Sequence, residues 1–391
     1  MKPLEGVKVL EFSTMITASF ATMMMAEQGA NVVKIEPIEM GDPMRYIGTS
    51  KGGISALFAN CNRGKESICI NIKNEDGQDL VRKMVKNVDV VIHNFRPGVM
   101  DRLNLGSDQL RSMNPRLIYA AISGFGTEGP LSTAPAYDPI IQAHAGIAAS
   151  QGIEKPVFVR NLMCDKITAY TAIQAVTAAL YVRVKTGEGQ HIDLSMLDAG
   201  LFFIFPDGFM NHTLLDDDVQ QQPLLADLIY ELTETKDGTI NLSAATDSQR
   251  AGVIRALGKD EMLSDPRFSS LEKLLIHLDE YREKLAGAFK QVTTDEILKR
   301  LREHHVPAAR CYDHEEALTQ PQIEANGTVE VRNHPVMGSM RIVRSPAKFS
   351  GERLPVTDHT PAHGQHTDSV LAGMGLTGDE ISSLREKGVV L

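Results

Sequence analysis

The rhythm of the first 125 residues constrains the fold most. GVKVLEF (6–12) is a Val-rich β run, MITASFATMMMAEQG (15–29) has helical composition and stops at a glycine, and NVVKIE (31–36) is a second strand. Strand, helix and strand at this spacing predict parallel strands joined by crossover helices, a doubly wound α/β arrangement. The rhythm returns with SICINI (67–72), NEDGQDLVRKMVKN (74–87) and VDVVIHN (88–94), and again with SDQLRSMN (107–114) and PRLIYAAISG (115–124). The helix over 74–87 carries its acids early and its bases late, the order that suits the helix dipole. One long Ala-rich helix is expected over 165–184. Further on, Asp237-Gly238 sits between two short β runs and predicts a hairpin. The tail is expected to hold a strand at MRIVRSP (340–346) and a last helix after Gly378-Asp379.

Composition narrows the function. A net charge of -10 disfavours a nucleic-acid partner, since phosphates require a concentrated positive surface. The four cysteines, Cys61, Cys69, Cys164 and Cys311, form no CxxC pair and fit a reducing compartment, so a cytoplasmic location is expected. The N-terminus has no leader pattern, and no run reaches the roughly 18 consecutive apolar residues of a membrane helix. The apolar run LDAGLFFIFPDGFM (197–210) is short and broken, and reads as core or interface. Met23, Met24 and Met25 read as adaptable core.

Several familiar chemistries are absent. There is no GxGxxG, no GxxxxGK[ST], no HExxH and no GxSxG. His363 and His366 are three apart but lack a third ligand nearby, so no metal site is expected. HNFRPG (93–98) ends a strand, where open α/β sheets bind ligands. Arg96 and Arg102 there can face a phosphorylated ligand or simply be solvated. Arg45, after the Gly41-Asp42-Pro43 turn, has the same two readings. Tyr137 is a possible hydrogen-bond donor in the segment after the Gly-rich SGFGTEGP loop (123–130). Asp165, at the head of the long helix, either caps that helix with its carboxylate or serves as a nucleophile kept ionised by the helix amides. Arg160, Lys166 and Arg310 are cations that can pair with a second substrate carboxylate or with protein acids.

LEGVKVLEFS, GANVVKIEP with GDPMR, NCNRGKESICINIK, HNFRPGVMDRLNLG, PRLIYAAISGFGTEGP, AYDPIIQAHAGI and the run from LMCDKITAY to KTGEGQHIDLSMLDA occur in one order across the chain. Together with DPRF, RCYDHEEALTQPQI, SPAKFS and PAHGQHTDSVL, they resemble the class III CoA-transferases, the family that also includes the 2-methylacyl-CoA racemases. The resemblance implies a large doubly wound, Rossmann-like domain built from both chain ends (1–200 and 336–391) and a smaller α/β domain (226–315). Linkers at 201–225 and 316–335 would join them, in an interlocked homodimer.

The same resemblance implies a reaction. Asp165 attacks an acyl-CoA thioester to give a mixed anhydride, CoA thiolate returns to form an aspartyl-CoA thioester, and an acceptor carboxylic acid takes the CoA. No tightly bound cofactor is implied, since CoA enters as part of the substrate. The family's CoA-contacting positions fall on Ile16, Thr17, Ile70, Asn94, Phe95, Arg96, Arg102 and Tyr137. The racemase branch carries His where this chain has Tyr137 and a Glu near Thr246, so proton exchange is disfavoured. A lyase or hydrolase variant, or a CoA-thioester binding protein without catalysis, are the alternatives. The chain departs from its relatives in places. Many members carry Ala-Gly-Pro where Thr17-Ala18-Ser19 stands here, some carry a basic residue where Pro37 stands, and Cys164 replaces a frequent glycine. The small-domain stretch NLSAATDSQ lacks the glycine run that covers the intermediate in some transferases.

Overall fold

The computed structural model describes residues 1–152, 154–222, 229–356 and 359–391. The chain divides into two units, Met1–Phe205 with Asn326–Leu391, and Pro206–Ala325. The expected boundary at 225/226 lies outside the described residues.

The larger unit is built on six parallel strands: β1 (Lys8–Phe12), β2 (Asn31–Glu36), β3 (Glu66–Cys69), β4 (Val90–His93), β5 (Ile118–Ser123) and β6 (His191–Ser195). They lie side by side in the order β3-β2-β1-β4-β5-β6. The order reverses direction at β1, so the β1/β4 edge is the topological switch point, where such sheets bind ligands beyond their carboxyl ends. Strand side chains alternate between two cores. Val9, Val90, Ile92, Ile118 and Ile122 pack on one face, and Leu10, Val91 and Tyr119 on the other. Burial on both faces is why these strands read as continuous apolar runs and not as alternating ones.

Helix α1 (Ile16–Glu27) and helix α2 (Glu75–Val85) take up the predicted positions after β1 and β3. Asn74 caps α2, accepting the Asp76 amide at 2.9 Å. Helix α3 (Asp138–His144) and the 24-residue α4 (Met163–Thr186) follow β5. Helix α4 is long and apolar enough by length and composition to cross a membrane. Here Ala169, Ala172, Val176 and Ala179 of α4 are buried in the first core, and the helix packs against α1. Gly187 ends α4 with a φ of 80°, a left-handed turn that glycine makes freely. Gly189 lies so close to the Leu117 carbonyl that a Cβ would sit 2.0 Å from its oxygen. These two contacts explain the glycines of the KTGEGQ run.

The C-terminal segment completes this unit. Helices Thr367–Gly373 and Gly378–Glu386 bring Leu371 and Ile381 into the second core. Val390 bridges Ile70, and the His366 ring accepts the Ser67 amide at 3.1 Å. His363 bonds the Pro37 carbonyl at 2.9 Å, and among the described residues no group of acids, histidines or cysteines is arranged to hold a metal. Residues 316–335, expected as linker, carry the helix Pro321–Asn326 and the strand Val329–His334, which pairs antiparallel with Gly338–Val343. The expected linker at 201–225 begins inside the helix Met196–Gly208.

The smaller unit has an antiparallel sheet of Thr233–Glu234, Thr239–Leu242 and Ala308–Arg310. Its first two strands form the hairpin predicted at Asp237-Gly238. Ile240, Val253, Leu285, Phe289 and Ile297 fill its own core.

Under the switch point lies a buried ionic cluster. Lys34 Nζ donates to Glu11 Oε1 at 2.7 Å and lies 3.0 Å from Asp42. Lys65 Nζ lies 2.8 Å from the other Glu11 oxygen. Beside them Arg45 makes a two-pronged contact with Glu36 at 2.6 and 2.9 Å and stacks on Phe58. Arg45 is therefore buried and committed to Glu36, so it is neither the solvated loop cation nor the phosphate-facing one that the turn suggested.

Burial opposes ionisation of Glu11 and Glu36, but their cations outweigh it. Glu11 is held well below the carboxylate range, and Glu36 falls to about 2. Both acids thus have folded values below their unfolded ones, so their stabilisation is present above pH 4.5, the unfolded value, and fades as pH falls from there toward 2. Thermal melts across pH 7 to 3 are expected to show that loss. Lys34→Met, which strands Glu11 and Asp42 without this partner, is expected to cost about 3–5 kcal/mol in urea unfolding.

Candidate active site

The site is assembled where β1 hands over to α1. Met15, just before α1, has φ 63° and ψ -156°, a backbone region nearly reserved for glycine. Such a conformation costs about 1–3 kcal/mol and persists only where its surroundings enforce it. Here the Met15 amide donates to Asp42 at 3.1 Å. The neighbouring Thr14 amide donates to Asn94 Oδ1 at 3.0 Å, and Asn94 Nδ2 returns a bond to the Thr14 carbonyl at 2.7 Å. Asn94, at the end of β4, thereby ties the two strand ends at the switch point together.

This arrangement fixes Thr17 in the first turn of α1. Its side chain is buried, and its hydroxyl donates a short hydrogen bond to Asp165 Oδ1. Asp165 occupies the first turn of α4 and is half-buried. Its carboxylate makes no bond to its own helix: Leu162 stands at the N-cap position, with no side-chain cap. Asp138 takes that role from the neighbouring α3. Its Oδ2 accepts the Asp165 amide at 3.0 Å, while its Oδ1 accepts from Gln142 at 2.6 Å. Gln142 in turn bonds the Val159 and Asn161 carbonyls at 3.1 Å and accepts the Val159 amide. The capping reading of Asp165 is thus overturned, because a second acid accepts its helix amide and the Asp165 carboxylate instead accepts from Thr17 of α1.

The electrostatics follow. Burial pushes the Asp165 carboxyl up to about 6; the Thr17 hydroxyl resists that rise and the nearby Asp138 adds to it. The expectation that helix amides hold this group low is not met, since it takes no amide bond. That value lies below pH 7, so the carboxylate form predominates there. Cys164 is no rival nucleophile. It is buried, and burial together with Asp138 and Asp165 pushes its thiol up to about 12.

Of the remaining candidates, Ile70, Phe95, Arg96 and Arg102 lie just beyond the carboxyl ends of β3 and β4. Ile16 is buried beside Met44 and Phe58. Ile70 is buried at the end of β3, and Phe95 packs partly into the second core. Arg96 and Arg102 are exposed beyond β4. Tyr137 is 69% exposed and immediately precedes Asp138. Lys166 bonds Asn161, Arg160 is exposed, and Arg310 lies 3.9 Å from Asp295. Thr246 caps the helix Asp247–Ala256 by accepting the Gln249 amide at 3.2 Å.

Sequence reasoning missed Asp138 and Gln142 as the supports of Asp165, as well as the Thr17 contact. The Asp138-Pro139 pair signalled a helix start, but its partner is 27 residues away in sequence.

The family model described as CoA-transferase family III matches residues 4–367. An acetyl-CoA:oxalate CoA-transferase from Acetobacter aceti is 31% identical, covering 89% of this chain and 90% of its own. A succinyl-CoA–D-citramalate CoA-transferase from Chloroflexus aurantiacus is 29% identical, covering 100% and 98%. Among solved structures, a CaiB/BaiF family protein from Brucella suis superposes with a TM-score of 0.84 at 28% identity, over 95% of this chain and 99% of that one.

A carboxyl whose folded value is raised costs stability while ionised. Asp165→Asn removes that charge and keeps an acceptor for Thr17. Its melting temperature at pH 7.5 is expected to rise by a few degrees, about 2–4 °C for each kcal/mol relieved.

Proposed function

The chain belongs to CoA-transferase family III, and from that premise we propose that Asp165 is the nucleophile that carries CoA from an acyl-CoA thioester to an acceptor carboxylic acid. The observation that supports this best is the setting of the Asp165 carboxylate, half-buried, bonded to Thr17 and free of its own helix amides. Burial strips it of water and raises its basicity, which favours attack on a thioester carbon. One Asp165 oxygen adds to the acyl carbon, and the sulfur leaves with the bonding pair as CoA thiolate. The thiolate then adds to the aspartyl carbon of the mixed anhydride and expels the donor acid, leaving an aspartyl-CoA thioester. The acceptor carboxylate repeats the sequence in reverse.

CoA enters as substrate. Its contacts are assigned to Ile16, Thr17, Ile70, Asn94, Phe95, Arg96, Arg102 and Tyr137. The two exposed arginines suit the phosphates, and the exposed Tyr137 suits the mouth of the site. The relatives named for oxalate and citramalate act on dicarboxylic acids, and a small dicarboxylic acceptor is proposed here as well. Lys166, next to Asp165, is the cation nearest in sequence to receive its second carboxylate. Proton exchange at the acyl α-carbon is disfavoured: where the resemblance puts the racemase His and Glu stand an exposed phenol, Tyr137, and a helix cap, Thr246.

We assign the protein to the cytoplasm and to a homodimer. The dimer is supported by apolar side chains that the larger unit leaves exposed. Tyr181 and Val184 of α4 are 63% and 81% exposed, and Phe202 and Phe203 are 83% and 53% exposed. Phe202→Asp is expected to shift the sedimentation profile toward monomer, and an unchanged dimer would count against this face.

Incubation with a panel of acyl-CoAs followed by hydroxylamine is expected to leave a hydroxamate on the peptide containing Asp165, and none in Asp165→Asn. A turnover-competent protein with no such label would remove the covalent route. Since the attacking form is the carboxylate, kcat/KM for the donor is expected to fall about tenfold per pH unit below pH ~6.

A further inference from the structure

Thr17 is buried in the first turn of α1, and its hydroxyl reaches Asp165 across 148 residues of sequence. The contact is directional. It engages Oδ1 alone, and no other hydrogen bond to the Asp165 carboxylate occurs among the described residues. It is also firmly supported. Thr17 sits in the first turn of α1, whose entry is pinned by Asp42 and Asn94 and whose Ser19 is held by Lys34 and Lys65. The donor therefore needs no reorganisation to act.

We propose that Thr17 is a catalytic residue of this transferase that acts as the oxyanion donor for the reactions at the aspartyl carbon. The inference rests on Asp165 being the nucleophile. With Oδ1 engaged, Oδ2 is the oxygen that attacks the acyl-CoA. In the mixed anhydride, Oδ1 becomes the aspartyl carbonyl oxygen, still bonded to Thr17. When CoA thiolate adds to that carbon, the C=O π pair moves onto Oδ1, and the Thr17 O–H stabilises the charge that develops there. On collapse the pair returns to re-form the carbonyl, and the donor acid leaves as a carboxylate carrying Oδ2 and the electrons of the broken C–O bond. Thr17 keeps its proton throughout. The acceptor carboxylate meets the same donor when it attacks the aspartyl-CoA thioester.

The test compares Thr17→Ala, Thr17→Ser and Asp165→Asn, each checked for wild-type melting behaviour or better. Single-turnover formation of the aspartyl-CoA thioester, read by quenched intact mass with a competent acyl-CoA, is expected to slow about tenfold to a hundredfold in Thr17→Ala. The acid limb of kcat/KM is expected to move to higher pH in the same variant, because the carboxylate has lost its donor. Thr17→Ser is expected to restore both to within a few fold. Wild-type thioester formation in Thr17→Ala, with Asp165→Asn inactive, overturns the role of Thr17 alone. Full transfer activity in Asp165→Asn overturns both this inference and the nucleophile assignment beneath it.

Discussion

Lys34 is the interaction on which the site depends. Its ammonium is fully buried and satisfied by Glu11, Asp42, the Ser13 carbonyl and hydroxyl, and the Ser19 hydroxyl. A buried cation is tolerable only when its acceptors are all in place. Those acceptors come from β1, from the β1–α1 turn, from α1 and from the loop after β2, so the charge holds four segments to one geometry. The cluster sums to neutral, with Glu11, Glu36 and Asp42 against Lys34, Lys65 and Arg45. That balance is why it can be buried without a counter-ion from solvent. Lys65 shows the strain that remains, since burial draws it down to about 8 despite its bond to Glu11. The strained Met15 backbone is held by the same frame.

Asp165 is placed by a division of labour between two acids. A carboxylate that capped its own helix would be low in basicity and committed to amides. Asp138 removes that commitment by accepting the amide itself, and Gln142 locks Asp138 to the segment leading into α4. What remains on Asp165 is one hydroxyl from α1. Burial and Asp138 raise its basicity and Thr17 moderates the rise. Site and fold are thus coupled through α1: the end of the sheet that carries the ionic cluster also sets the only donor to the Asp165 carboxylate found among the described residues.

The sheet was legible because its signals are local. Val-rich runs, crossover helices and capping residues lie within a few positions of what they determine, and Asn74 at the head of α2 is an example. The KTGEGQ glycines were visible as a motif, while their cause, the close approach of Gly189 to Leu117, is a contact between distant segments. Asp165 became a candidate through its place at the head of a long helix and through family resemblance. Its environment was not. The Thr17 bond spans 148 residues and the Asp138 bond spans 27, and hydrogen-bond direction has no sequence period. Arg45 was misread for the same reason. A cation after a turn gives no sign that Glu36, nine residues earlier, will face it across the end of a strand.

A carboxylate nucleophile in CoA transfer must be expelled as readily as it attacks. Ordinary carboxylic acids have pKa values near 4, so an aspartate of similar basicity exchanges with them at little cost in either direction. In the proposed reaction, burial at Asp165 would break that symmetry by making the carboxylate more basic, which speeds attack on the thioester but makes it a poorer leaving group afterwards. A donor fixed on Oδ1 compensates selectively. It stabilises the carboxylate when Asp165 departs and the oxyanion when its own carbon is attacked, and it costs no reorganisation at either moment. Burial and the Thr17 hydroxyl therefore do opposite things to the same group, and the hydroxyl narrows, without closing, the gap in basicity between Asp165 and an ordinary carboxylic acid.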